Sequence, residues 1–357
     1  MHRPRSVLTL LLVSGVSWTC VAANGEAIEE GHAMTQPAIV LEPSAPGGKE
    51  VLLRKGRLSG RVLDNVANQA RQGSGFNPLC HLDYPGKPIY FTGATGLNFE
   101  HIFNGVAADK KDSMFTPRKD AVELIGHSES SAALRWPGES SSWGIECSLT
   151  YTLAEPDRID IQFSAIPTQD RFGQRYIAFM WASYMACARD RRIHFYGVDG
   201  GREGWVAFGE NTPDGFETGT VACDGVAPLP HEEGSQTLNI VEHPCKKYLK
   251  PFYYSLIDGD HDLNTTEDTL AYIMMFDQTG PMRFAMWNFI TDASGAPDTH
   301  RPAWDWQFVV HEPVLGRKYE YRARVVIRPF VSPEAVLALY EEWAGNLGLP
   351  APEEQQK

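Results

Sequence analysis

Residues 157–165 read DRIDIQFSA, and their character alternates without a break. Ile159, Ile161, Phe163 and Ala165 fall on one side of an extended chain, and Asp160, Gln162 and Ser164 fall on the other. Residues 318–328 repeat the pattern, with Tyr319, Tyr321, Ala323, Val325 and Ile327 opposing Glu320, Arg322 and Arg324. A period of two marks a half-buried strand of an antiparallel sheet. Shorter runs of the same kind predict strands at 87–92, 131–136, 144–154, 176–186, 192–198, 204–209, 247–257, 269–277, 282–289 and 304–311. Turn clusters such as Ala154-Glu155-Pro156-Asp157 and Asp199-Gly200-Gly201 separate them. Two stretches read as helix. Leu58, Val62, Val66 and Ala70 recur at helical spacing within 51–70. Near the end, Ser332 is a fitting N-cap, Pro333 a first helical residue and Glu334 a first-turn acid, which predicts a helix over 333–345. Strand and helix do not alternate, so a parallel α/β sheet is not expected. The pattern predicts an all-β chain: a large antiparallel sandwich over 51–350 with a short C-terminal helix.

The first fifty residues follow other rules. Arg3 and Arg5 precede the apolar run 7–16, and Val21-Ala22-Ala23 supplies small residues for cleavage. Residues 1–23 therefore read as an export signal, and 24–50, rich in Glu, Pro and Gly, as a linker. No later run is long and apolar enough to cross a membrane as a helix. The formal net charge of −13 makes nucleic acid and anionic lipid poor partners. Beyond the signal stand Cys80, Cys147, Cys187, Cys223 and Cys245, an odd number. Cys223 and Cys245 flank a loop-like region and are the expected bridge in an oxidising compartment.

Five stretches offer chemistry. Residues 96–105, GLNFEHIFNG, put Glu100 beside His101, with Asn98 and Asn104 near. A regular strand would send Glu100 and His101 to opposite faces, whereas a turned backbone would unite them. His81 lies in a polar, proline-kinked stretch, 77–86. Residues 175–196 carry Arg175, Trp181, Tyr184 and His194. Aromatic rings with polar tips suit sugars, whose C–H faces stack and whose hydroxyls hydrogen-bond. In HRPAWDWQFVVH, 300–311, Trp304 and Trp306 share one face, and Asp305 and Gln307 the other. The run 258–264 sets Asp258, Asp260 and Asp262 at alternate positions, as a calcium loop would, although Leu263 and Thr269 break the EF-hand signature. No P-loop, GxSxG, HExxH or dinucleotide fingerprint occurs.

The segments GIECSLTYTLAEPDRIDIQFSAIPT, YIAFMWASYM and RIHFYG, within 144–199, resemble the central section of the galactose mutarotase-like superfamily. That family holds aldose epimerases and domains of glycoside hydrolases and lyases. The resemblance implies a β-supersandwich with a concave sheet facing carbohydrate. Where the epimerases carry an Asn-His pair, this chain has Trp181, Ser183 and Tyr184. The expectation is an exported carbohydrate-active protein working by acid/base chemistry. His101 and His194 are the acid/base candidates, Glu100 or Asp305 the carboxylate partner, and Tyr184 a donor. Trp181, Trp205 and Trp306 are expected as stacking platforms. Asn98, Arg175, Gln307 and His81 are expected to contact substrate, and Ca²⁺ to bind at Asp258, Asp260 and Asp262. A glycan-binding module without catalysis, or a structural envelope protein, uses the same composition differently.

Overall fold

The computed structural model describes residues 48–67, 73–106, 115–212, 215–235 and 242–349. The signal segment and nearly all of the linker lie outside them. Strands are β1 (Glu50–Lys55), β2 (Leu58–Leu63), β3 (Gly75–His81), β4 (Asn98–Phe103), β5 (Glu123–Ser128), β6 (Ser131–Trp136) and β7 (Ile145–Ala154). They continue as β8 (Arg158–Pro167), β9 (Tyr176–Ala182), β10 (Ile193–Asp199), β11 (Arg202–Phe208), β12 (Asn211–Thr212), β13 (Gly215–Phe216) and β14 (Gly219–Cys223). The last are β15 (Glu242–Tyr248), β16 (Phe252–Asp258), β17 (Thr269–Phe276), β18 (Met282–Trp287), β19 (Ala303–His311) and β20 (Tyr319–Pro329). Helix α1 is one turn, Thr116–Lys119, and α2 spans Pro333–Asn346.

Among the described residues, fifteen strands form one sheet, ordered β4-β9-β19-β18-β14-β15-β10-β16-β17-β20-β8-β7-β6-β5, with β11 beside β10. All neighbours are antiparallel except β14 and β15. The sheet folds back on itself. Phe163 of β8 meets Trp181 of β9 at 4.8 Å between ring centres, and Tyr321 of β20 meets Trp181 at 5.4 Å. Phe99 of β4 likewise meets Trp136 of β6 at 5.2 Å. Strands far apart in the sheet order thus share one apolar interior, as in a sandwich. The alternation in β8 and β20 is what places Ile159, Ile161, Phe163, Tyr321, Ala323, Val325 and Ile327 there. The small sheet β1-β2-β3 adds Leu58, Val62, Phe76 and Leu79 to the same core.

Helix α2 begins at Ser332, whose side chain accepts from the Ala335 N–H at 3.2 Å. It lays Val336, Tyr340 and Trp343 on the outward face of β16, β17 and β20. It matches the expected 333–345 to within a residue.

Three expected elements differ. Residues 51–63 are a hairpin, not a helix. Gly56 at φ 55° starts a two-residue connection that pairs Lys55 with Leu58, and every β2 residue is buried, so the four-residue spacing has no solvent face behind it. The Ala70 end of that reading lies outside the described residues. Residues 87–92 make only isolated bridges, Cys80 with Pro88 and Tyr90 with Met185. The run 247–257 is two strands, parted at Pro251, which has no N–H to give a ladder.

Candidate functional site

Strand β4 holds the answer to GLNFEHIFNG. Phe99 pairs with Trp181 and His101 with Met180, adjacent partners on β9, so Glu100 is the extra residue of a β-bulge. The bulge resets the alternation. Phe99 and Ile102 enter the sandwich core, while His101 and Phe103 turn outward. Glu100 turns with them. Its Oε2 lies 3.1 Å from His101 Nε2, and its Oε1 accepts from Arg118 Nη1 at 3.1 Å. A regular strand would have sent Glu100 and His101 to opposite faces, and this single inserted residue unites them.

Arg118 comes from α1, a turn pinned on both flanks. Trp136 Nε1 donates to the Pro117 carbonyl at 2.9 Å, and Asn65 Nδ2 donates to the carbonyls of Arg118 and Asp120 at 3.1 and 2.7 Å. Phe115 packs against both partners of Glu100: its ring is 4.4 Å from that of His101 and 4.9 Å from the Arg118 guanidinium carbon.

The register carries this face across six strands. His101 stands beside Met180, which pairs with Gln307. Gln307 pairs with Arg283, Arg283 with Ala222, and Ala222 with Lys247. The neighbouring row runs Asn98, Ala182, Asp305, Ala285, Thr220 and Glu242, the Ala182–Asp305 step following from the Trp181–Trp306 pairing. Polar side chains therefore stand on a floor of alanines. Asn98, Glu100, His101, Asp305, Gln307, Thr220 and Arg283 are all buried. Apolar groups close the ends: Leu229 and Phe115 over Phe103, Met180 and Val309, and Ile290 and Phe91 over Ala182, Tyr184 and Ala303. Beside the Val309–His311 end opens a cavity of 620 Å³, bounded by Val226 and Ala227 of the loop that carries Leu229.

One carboxyl on this face holds its proton tightly. Burial pushes Asp305 well above the usual carboxylate range, and the Glu100 charge adds to it, against one N–H bond from Ser183 at 3.1 Å. Glu100 is instead flanked by a guanidinium and an imidazole. Among the described residues, the His101 Nδ1 and the Asn98 Oδ1 are buried without a partner.

Other sequence candidates fall elsewhere. Tyr184 bridges to Ala303 at the apolar end of the face and is nearly buried. Trp181 and Trp306 stack on each other at 5.4 Å inside the core and offer no ring to a ligand; a strand paired on both sides buries its apolar row. Trp205 packs on Tyr196, Phe252 and Tyr254 near α2. His194 sits on β10, six places from β4 in the sheet order at about 4.8 Å per step, so it does not converge with His101. Its Nε2 is 3.1 Å from Asp190 and its ring stacks on Tyr254 at 5.0 Å. Arg175, at φ 58°, is exposed and paired to Glu312. His81 is buried in β3, where Nδ1 accepts from the Asp83 N–H at 3.3 Å and burial lowers its basicity.

The calcium reading changes too. The carboxylates that converge are Asp258, Asp260 and Asp268; Asp262 gives its N–H to Asp258 and Asp260 instead. Arg189 Nη2 lies 2.7 Å from both Asp258 and Asp268, and burial pushes the Asp258 carboxyl up to about 6. Arg189 thus sets one positive charge against the three carboxylates, and Asp268 stands where Asp262 was expected.

Sequence reasoning missed Arg118, Arg283, Thr220, Glu242 and Lys247. Arg283 had a signal: in PMRFAMW it alternates with Met282, Phe284 and Met286, beside Ala285. Arg118 had none, since only the fold brings α1 to β4.

No family model and no curated protein matches the chain. Solved structures do. A putative aldose 1-epimerase from Escherichia coli K12 is 13% identical, with 80% of this chain and 100% of that one covered, at a TM-score of 0.44. A galactose mutarotase-like protein from Lactobacillus casei is 9% identical over 78% and 100%, also at 0.44. A galactose 1-epimerase from Lactobacillus acidophilus is 8% identical over 78% and 94%, at 0.40.

Proposed function

We propose that this is an exported enzyme that moves protons to and from the oxygens of a carbohydrate on the outward face of β4, β9, β19 and β18. The N-terminal pattern supports export. The observation that carries the chemistry is the pairing of a base and an acid in adjacent rows. Glu100 takes the Nε2–H of His101, which leaves Nδ1 as the nitrogen with a free lone pair. Asp305 keeps its proton because its site is dry and a second carboxylate is near. A hydroxyl between them can lose a proton to His101 while a neighbouring oxygen gains one from Asp305. The mixed donors and acceptors around them, Asn98, Gln307 and Thr220, suit a polyol, in which each hydroxyl both gives and accepts.

The test is turnover of a monosaccharide and oligosaccharide panel, followed by NMR for anomer exchange and bond cleavage. Asp305→Asn and His101→Ala should each cost about 10²- to 10⁴-fold. Turnover that survives both substitutions would sink the reading.

A further inference from the structure

We infer that the sugar is acidic, and that its carboxylate docks on Arg283; this rests on the carbohydrate reading above and narrows it. Arg283 stands mid-strand in β18, outward, and is fully buried. Its Nε donates to Glu242 Oε1 at 2.8 Å, while Nη1 and Nη2 are buried with no partner among the described residues. Unmade bonds of a buried cation are costly, so a side chain held this way is prepared for an acceptor. Two of the side chains beside Arg283 on this face are small. Its register neighbour on β14 is Ala222, and the next outward residue of its own strand is Ala285.

The charges fit a monoanion. Glu242 is shared: Oε1 serves Arg283, and Oε2 lies 3.2 Å from Lys247 Nζ. Two cations therefore face one carboxylate, an excess of one positive charge. His311, near the same guanidinium, has its basicity lowered by desolvation and then by Arg283 itself. A planar carboxylate matches both the fork and the charge, whereas a phosphate monoester brings a second negative charge with no cation left for it. The position fits as well. Arg283 pairs with Gln307 and Ala285 with Asp305, so Arg283 and Asp305 are diagonal neighbours about 7–8 Å apart, a span that one hexuronate ring bridges.

Calorimetry on the full chain tests this with two matched pairs, glucose with glucuronate and galactose with galacturonate, and with glucose 6-phosphate. In at least one pair the uronate should bind about 10- to 100-fold tighter than the hexose. Arg283→Lys keeps the charge, loses the fork and should bring that ratio close to one. Glu242→Gln leaves Arg283 in place, unshields it and should raise the ratio, which keeps the test open if the lysine variant does not fold. Equal binding of hexose and uronate overturns the inference and leaves the carbohydrate reading standing. So does a ratio that survives Arg283→Lys, or a phosphate ester that binds tighter than either uronate. No binding by any of these sugars overturns both.

Discussion

Asp305 carries opposite consequences for activity and stability. Its carboxyl stays protonated in the folded chain at pH values where the unfolded chain has already released the proton, because burial and then Glu100 disfavour the anion. The folded value is raised, so its contribution is complete below the ordinary carboxylate range and is lost as pH rises through the folded value. Asn has the same shape and no proton to lose, and its Oδ1 can keep the Ser183 N–H. Asp305→Asn should therefore gain stability over the wild type progressively as pH rises above the ordinary carboxylate range, while it loses turnover. Urea denaturation at several pH values checks this; a stability difference that does not change with pH would contradict it. Asp305 and Gln307 were legible because WDWQF alternates and tryptophan claims the core side. Arg283 obeys the same rule one strand over, yet a lone charge in an apolar strand reads as solvent-exposed. The fold nevertheless buries it completely.

The β4 bulge is the element on which the site turns. Without Glu100 the strand alternates regularly, with Phe99 and Ile102 inward and His101 and Phe103 outward, as its partners on β9 already require. Deleting Glu100 should preserve the ladder and remove only the acid that orients His101. Combined with Arg118→Met, which avoids stranding a cation, the deletion should keep the melting temperature within about 5 °C and cut turnover by about 10²-fold or more. A collapse of the melting temperature would mean that the bulge is structural. No local feature of GLNFEHIFNG announces the insertion, since a bulge is a mismatch of count between two strands, and β9 lies more than seventy residues on. The hairpin at 51–63 was missed for a related reason. Leu58 and Val62 fit both periods, and burial on both faces of β2 decided between them.

At the scale of the molecule, one long sheet folded into a sandwich leaves each thiol with a fixed fate. The strand rows that made the fold legible also predict Cys147 as inward, and it is. They could not pair Cys223 with Cys245, because β14 and β15 are parallel and Cys223 stands beside Tyr248 instead. Cys223 points into the core, with Thr279 O at 3.9 Å from its sulfur, while Cys245 is exposed, and neither is bridged. Burial raises the Cys147 and Cys223 thiols and pushes Cys187 up to about 11, which suppresses the thiolate that reagents attack. In a Cys20→Ser chain, a disulfide-exchange reagent at pH 8 should label Cys245 at once. Cys80, Cys147, Cys187 and Cys223 are buried and should react only as the sandwich opens. Peptide mapping of the fast and slow labels checks the assignment. If Cys223 and Cys245 were both protected in the folded chain and freed only by reduction, the parallel pairing of β14 with β15 would be wrong. The row that sets Arg283 beside Ala222 and Lys247 would then have to be redrawn.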